Sequence, residues 1–302
     1  MTVAVTGATG FVGQAVLEVL AHRGYRVRAL ARKVPVQRGE VDWIGGDLSD
    51  VGALRRLTEN TQAVIHIAGL TTSRNLEAFE AANVTGTHKL LEAAAKARVP
   101  RFVFTSSLAA REPRLSAYGA SKAQAETLVQ ASPLDWTIVR PPAIFGPRDK
   151  DMLDLFRGAE WGVVPMPPTG AASLLYVYDL AELLVALIPS SETVKGKIFE
   201  PDDGRPGGWG HRELAQAIGW AVGREPWVPH LSRQWLKRLA KLDGMLRGDK
   251  AKLTLDRVCY MTHPDWVSDK GAAVPAELWR PRMNTRDGLK ATANWYRKER
   301  WL

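Results

Sequence analysis

The sequence predicts an α/β fold, a doubly wound parallel sheet with a smaller carboxyl-terminal lobe. Three observations point there. Short β-branched runs alternate with Ala/Leu-rich helical stretches through the first half. A glycine-rich turn, Thr6-Gly7-Ala8-Thr9-Gly10-Phe11-Val12-Gly13, sits at the first strand-to-helix junction. After Pro141 the texture changes, with Pro141-Pro142, Gly146-Pro147 and Pro165-Met166-Pro167-Pro168 punctuating a loop-rich stretch.

In chain order, strands are expected at residues 3–5, 27–31, 41–43, 63–67, 101–105 and 136–139, with a short one at 197–199. Helices are expected at 11–22, 50–57, 79–97, 117–130 and 177–187. Val64-Ile65-His66-Ile67-Ala68 is the kind of run a central strand buried on both faces requires. The expected domains are a dinucleotide-binding domain at 1–146 plus about 173–200, and a substrate-binding lobe from about 147–172 and 201–302.

Charge is distributed unevenly. Residues 1–204 balance 22 Lys/Arg against 22 Asp/Glu, whereas residues 205–302 carry 19 against 10, the whole of the +9 excess. Eight of the eleven tryptophans lie in that last stretch. Such a lobe suits an anionic substrate or surface, or simply presents a solvated basic face over an aromatic core. Within it a basic helix is expected at 232–247, with Trp235, Leu236, Leu239, Leu242, Met245 and Leu246 packed on its own lobe. No recognised nucleic-acid module accompanies the charge, so no nucleic-acid partner is expected. No apolar run reaches transmembrane length. The first strand starts too early to leave room for a signal peptide, and Cys259 is the single cysteine, so a reducing cytoplasm is the expected compartment.

The glycine turn has a chemical reading. Gly7 permits a tight backbone path, Gly10 lets the backbone approach a pyrophosphate, and Gly13 lets the following helix pack closely on the sheet. Thr9 lies in the turn, and Phe11 and Val12 open the helix, whose N-terminus favours phosphate charge. The spacing is G-x-x-G-x-x-G rather than G-x-G-x-x-G. The second strand ends Ala29-Leu30-Ala31-Arg32-Lys33. With no acid there to bind a ribose 2′-hydroxyl, Arg32 points to a 2′-phosphate and hence to NADP(H), with NAD the alternative.

Tyr118-Gly119-Ala120-Ser121-Lys122 sets a phenol and an ammonium four residues apart on one helical face. A neighbouring cation favours the phenolate, so this Tyr suits proton exchange with a substrate oxygen. Just upstream, Thr105, Ser106 and Ser107 stand at the carboxyl end of a predicted strand, the edge where open α/β sheets bind ligands. The six histidines show no metal-ligand spacing, and no metal is expected. Asp149, Asp151 and Asp154 are expected to be solvated helix-start charges.

Together these pieces resemble the extended short-chain dehydrogenases/reductases, the NAD(P)-dependent epimerase/dehydratase branch. The matching segments are the glycine turn, Gly46-Asp47-Leu48, His66-Ile67-Ala68-Gly69, Asn83-Val84-Thr85-Gly86-Thr87, Thr105-Ser106-Ser107, Tyr118 with Lys122, and Arg140-Pro141-Pro142-Ala143-Ile144-Phe145-Gly146-Pro147. Tyr176-Val177-Tyr178-Asp179-Leu180-Ala181 resembles a later family element. The resemblance implies a Rossmann-type sheet. It also implies Asp47 and Leu48 beside the adenine, Ala68 and Gly69 along the cofactor's middle, and Asn83 bracing the nicotinamide side. Ser107 would bond the reacting oxygen, with Ser106 the alternative for that role, and Tyr118 would be the acid/base. Lys122 would hold the nicotinamide ribose, while Pro141, Ala143 and Ile144 would pass along the nicotinamide.

Only ten residues separate Ser107 from Tyr118, fewer than in many sugar-nucleotide enzymes of the branch, so the intervening loop offers less substrate cover. The expectation is an NADP(H)-dependent oxidoreductase or epimerase acting on a small molecule with a carbonyl or hydroxyl group, either a sugar nucleotide or an apolar ketone. A homodimer is compatible with the sequence. The competing expectation is a non-catalytic dinucleotide-binding subunit that docks through its basic Trp-rich lobe.

Overall fold

Parallel strands buried on both faces need near-continuous apolar sequence, and the runs identified above form a sheet of that kind. In the computed structural model, which describes residues 1–36, 39–248 and 251–302, seven parallel strands build the main sheet. They are β1 (Thr2–Thr6), β2 (Arg26–Ala31), β3 (Val41–Gly45), β4 (Ala63–His66), β5 (Phe102–Thr105), β6 (Trp136–Val139) and, late in the chain, β10 (Lys197–Phe199). Their order is β10-β6-β5-β4-β1-β2-β3. Val3 pairs with Val27 on one side and Ala63 on the other, so β1 is where the winding reverses. Ligands of open α/β sheets bind beyond the strand ends at such a reversal.

The chain divides into two units. The first comprises Met1–Arg140, Leu180–Phe199 and Val274–Trp279. Around its sheet lie α1 (Phe11–His22), α2 (Val51–Thr58), α3 (Glu77–Phe79), α4 (Gly86–Lys96) and α5 (Ala117–Ala131). One face of the sheet packs Leu54, Leu57, Leu90, Phe102, Phe104 and Ile138 into a continuous core. Most boundaries fall within two residues of expectation, the ordinary scatter of helix and strand ends. One helix differs in kind. Where the sequence predicts an unbroken helix over 79–97, a π-helical turn, Glu80–Thr85, separates α3 from α4. The extra residue in that turn accompanies the placement of Asn83, whose side chain is hydrogen-bonded at both ends of its amide.

The second unit comprises Pro141–Asp179, Glu200–Ala273 and Arg280–Leu302. Residues 141–146 and 173–179 thus group with it, not with the first unit as the sequence suggests. The reason is a parallel pairing of β7 (Ala143–Phe145) with β9 (Leu174–Tyr176). A second small sheet joins β8 (Ala171–Ala172), β11 (Trp209–Gly210) and β12 (Asp265–Trp266). The core of this unit is drawn from α6 (Leu153–Glu160), α8 (His211–Val222) and α11 (Thr285–Lys298), with Phe145, Phe156, Ile218, Leu289 and Tyr296 fully buried. The Tyr296 hydroxyl donates to the Asp149 carbonyl at 2.7 Å. Asp149 departs from expectation, being buried rather than solvated. Its carboxylate accepts from the Asp151 and Met152 amides at 2.7 and 3.3 Å, and burial pushes its carboxyl up to about 7.

The basic helix also departs from expectation. In α9 (Arg233–Arg247), capped by Ser232, only Leu236, Ala240 and Gly244 are buried. They form a narrow seam with Val258 of α10 (Leu255–Met261), flanked by Leu231 and Leu253. Trp235, Leu239, Leu242, Met245 and Leu246 remain exposed, because a seam repeating every four residues covers one edge of the helix and not the side that carries them. Among the described residues no helix is long and apolar enough to cross a membrane.

Candidate active site

The glycine turn follows β1 directly. Gly7 has φ +74°, and a Cβ there would lie 2.6 Å from the Ala68 nitrogen. A Cβ on Gly13 would lie 2.1 Å from the Gly7 carbonyl oxygen, so only glycine lets α1 approach the turn this closely. The Gly10 amide closes the turn onto the Gly7 carbonyl at 2.9 Å. Gly10 is also the N-cap of α1, and among the described residues no side chain caps this helix and no acid stands in its first turn. Backbone N–H groups at such an end are donors for an anion. Thr9 is exposed, and Phe11 and Val12 are half-buried.

Arg32 stands exposed just beyond β2. Asp47 is exposed after β3 and accepts from the Ser49 hydroxyl and amide at 2.6 and 2.8 Å. Those bonds to Ser49, hydroxyl first, hold its carboxyl below the ordinary range, and the charge of Arg32 adds a smaller pull. Leu48 is half-buried, close against Gly86 at the start of α4. Ala68 and Gly69 follow β4, and the next residue, Leu70, is clasped by Asn83. The Leu70 amide donates to Asn83 Oδ1 at 2.7 Å, and Asn83 Nδ2 donates to the Leu70 carbonyl at 2.9 Å. Asn83 Nδ2 also donates to Ser121 Oγ at 2.9 Å, which ties the π-helical turn to α5.

A buried polar chain supports this arrangement from beneath. The Thr87 hydroxyl donates to the Asn83 carbonyl at 2.6 Å, so His66 Nε2 must be the donor in its 2.9 Å bond to Thr87. Nδ1 is then an acceptor, and the Thr6 hydroxyl donates to it at 2.6 Å while receiving the Ala68 amide at 3.2 Å. His66 is therefore the neutral Nε2–H tautomer. Burial first, and the charge of Lys122 second, push its pKa down to about 3. Unfolded, this His takes a proton below its ordinary value of 6.5, whereas folded it stays neutral until about 3. The native state thus loses stability as pH falls across that window, by up to roughly 1.4 kcal/mol per pH unit. Urea titrations of the parent and of His66→Gln between those pH values should give a shallower decline for the variant. Equal slopes would show that His66 is not the source.

The carboxyl end of β5 carries three hydroxyls with different surroundings. Thr105 Oγ1 is buried and, among the described residues, has no hydrogen-bond partner. Ser106 is buried and donates to Glu126 Oε1 at 2.5 Å. Glu126 in turn receives two bonds from Arg140, at 2.9 and 2.6 Å, so this carboxylate is fixed by a forked guanidinium. Ser107 is half-buried, and its Oγ accepts from the Ala109 amide at 3.2 Å as the cap of a 3₁₀ turn, Leu108–Arg111.

Tyr118 lies in the first turn of α5, which Ser116 caps by accepting from the Gly119 amide at 2.9 Å. Its ring packs near Phe79, centroids 6.2 Å apart. One turn later Lys122 is buried, donates from Nζ to the Thr105 carbonyl at 2.7 Å, and lies 4.4 Å from the centre of the Phe104 ring. Burial lowers its pKa to about 8, against the opposing pull of Glu126. Ser121 donates to the Tyr118 carbonyl at 2.8 Å, joining the Asn83 clasp to the turn that bears the phenol.

The first unit thus brings together the glycine turn, Ala68, Asn83, Thr105, Tyr118 and Lys122. Pro141, Ala143 and Ile144 belong to the second unit, where Pro141 is buried, Ile144 half-buried and Ala143 exposed in β7. The supporting roles of Thr6, Thr87 and Ser121 are invisible from sequence, since threonine or serine in a strand or helix carries no signal of a distant partner. Glu126 is equally silent. Arg140 heads a segment that the sequence does single out, but its pairing with Glu126 is not legible there.

The family model described as the NAD dependent epimerase/dehydratase family matches residues 3–200. A relative, the ceramide reductase of Caulobacter vibrioides, is 36% identical over 309 aligned residues covering 99% of this chain and 96% of its own. The chain belongs to the NAD dependent epimerase/dehydratase family. It is accordingly an NAD(P)-dependent oxidoreductase or epimerase. Among solved structures, MoeE5 in complex with UDP-glucose and NAD is similar in fold, with a TM-score of 0.78 at 22% identity and 99% coverage of both chains. The UDP-glucose 4-epimerase of Thermus thermophilus in complex with NAD has a TM-score of 0.70 at 23% identity, covering 98% of this chain and 99% of that one.

Proposed function

We propose that this family member is an NADP(H)-dependent reductase of a carbonyl on a long-chain, lipid-like substrate, with Tyr118 as the proton donor. The observation that carries the reaction is the buried Lys122 ammonium, held 2.7 Å from the Thr105 carbonyl at the end of β5 and one helical turn from Tyr118. The lipid-like class rests on the full-length similarity to a protein named ceramide reductase. The sugar-nucleotide enzymes share the fold at lower identity.

The residues fit a nicotinamide dinucleotide. The Gly7–Gly13 cradle has space only where side chains are missing, and among the described residues the α1 N-terminus has no side-chain cap and the buried Thr105 Oγ1 has no hydrogen-bond partner. The turn and α1 would hold the pyrophosphate, Asp47 and Leu48 the adenine side, and Ala68, Gly69 and Asn83 the middle. Thr105 and Lys122 would hold the nicotinamide end. When bound, the reduced cofactor supplies the hydride that forms the new C–H bond at the carbonyl carbon.

The chain's own groups handle the oxygen. Ser107 accepts a backbone amide, which leaves its O–H to donate to the substrate oxygen, whereas Ser106 is committed to Glu126. That difference favours Ser107 for the role. Tyr118 gives its phenolic proton to the same oxygen as the alcohol forms, and the Lys122 charge one turn away stabilises the phenolate left behind. Nζ gives one of its three donors to the Thr105 carbonyl, and a ribose hydroxyl would take another. In this reading the second unit, which holds most of the basic excess and the tryptophans, supplies substrate recognition.

The decisive assay offers the purified protein NADPH with a ceramide-type keto-lipid in one arm and with UDP-glucose in the other. Oxidation of NADPH with the lipid alone supports the reading. Turnover of the sugar nucleotide alone overturns the substrate class. For the cofactor, Arg32→Ala should weaken NADPH by about tenfold or more, the worth of one charge-assisted bond, and leave NADH unchanged. Equal losses for both dinucleotides would remove Arg32 as the 2′-phosphate ligand.

A further inference from the structure

We propose that α9 is a docking surface for anionic lipid bilayers, lying in the headgroup region with its exposed apolar stripe turned into the membrane. Among the described residues, its packing leaves one side exposed. The seam residues Leu236, Ala240 and Gly244 are buried, while Trp235, Leu239, Leu242 and Leu246 are 56, 39, 51 and 76% exposed. These four follow a spacing of four, three and four, so they line one stripe of the helix, turned away from the seam. Met245, 84% exposed, sits beside it. Exposing five large apolar side chains on one short helix is costly in water, and a surface that covers them removes that cost.

Charge identifies the occupant. The helix carries five Lys/Arg and one acid. Arg233, Lys237, Arg238 and Lys241 are exposed, and Arg247, also exposed, pairs with Asp243 at 3.2 Å. The Arg238 guanidinium lies 4.8 Å from the centre of the Trp235 ring, its cation beside the apolar stripe. The single acid, Asp243, is half-buried and held by the chain, its Oδ2 accepting from the Lys252 and Leu253 amides at 2.9 Å each. The exposed side is therefore apolar and cationic. Amphipathic helices that settle at anionic lipid interfaces combine these features, with Trp and Leu below and Lys or Arg at headgroup level. A second copy of the chain is a poor occupant. Helices that pair along such a stripe flank it with charges of both signs, whereas here two basic flanks would face each other.

The test is cosedimentation of the full chain with phosphatidylcholine vesicles, with and without phosphatidylglycerol. The readout needs no turnover, so it stands independently of the proposed reaction. Binding is expected only to the anionic vesicles, with release at high salt. Two variants, Leu242→Ser/Leu246→Ser and Lys237→Gln/Arg238→Gln/Lys241→Gln, should each lower partitioning about tenfold or more. All five positions are solvent-exposed, so both variants should keep the parent's circular dichroism and melting temperature. Failure of the parent to bind anionic vesicles overturns the proposal, as does binding that both variants retain. So does a dimer in solution that Leu242→Ser/Leu246→Ser dissociates while vesicles stay unbound.

Discussion

With Phe in place of Tyr118, turnover should fall by roughly 10²–10⁴-fold while NADPH binding and folding stay as in the parent. The substitution removes one oxygen and leaves the ring against Phe79. The missing O–H is the proton source for the substrate oxygen, and without it the developing alkoxide must draw on Ser107 or water. A large fall in kcat with a constant cofactor affinity is the pattern of an interaction made only in the transition state. The pH profile provides an independent check. Lys122, lowered to about 8 by burial, loses its charge as pH rises through that value, and the phenolate then loses the cation one helical turn away. The parent's rate should therefore fall as pH rises across that region, and the residual rate of Tyr118→Phe should not, because no phenolate forms. A variant that turns over at the parental rate would remove Tyr118 from the chemistry.

The sheet was legible because buried parallel strands must be apolar throughout, as in β4, where all four residues are buried. The glycine turn was legible because the clash of any Cβ at Gly13 with the Gly7 carbonyl leaves no other residue type. The Tyr118–Lys122 pair was legible because helical spacing alone places both on one face. Asn83 stands out in the sequence, but the π-helical turn does not, since its one-residue excess leaves no mark on a helical pattern. The α9 surface departs from expectation for a related reason. Periodicity reveals which residues share a side of a helix, and it does not reveal whether anything packs there.

Arg101 illustrates the same limit with the largest expected cost in stability. The sequence presents it as an ordinary charged residue at the start of a strand, yet its side chain is fully buried. Its guanidinium donates to the Leu187 carbonyl at 2.9 Å, to Asp135 Oδ1 at 2.6 Å and to Thr137 Oγ1 at 2.5 Å. It thus joins the entrance of β5 to β6 and to the turn after α7 (Val177–Ala186), all within the first unit. Burial lowers the pKa of this guanidinium and Asp135 opposes the shift, so the ion pair compensates a desolvation that is otherwise prohibitive. Arg101→Met nearly preserves the volume and removes every donor. It should cost about 3–5 kcal/mol in urea unfolding, because the Asp135 charge and the Leu187 carbonyl lose their partner. The double variant Arg101→Met/Asp135→Asn separates the contributions. If the unpaired carboxylate is the main penalty, the double variant should be more stable than Arg101→Met alone, a non-additivity expected of residues in contact. Additive losses would place the cost in the carbonyl and hydroxyl bonds, and an unchanged urea midpoint for Arg101→Met would show that this network does not hold the sheet edge together.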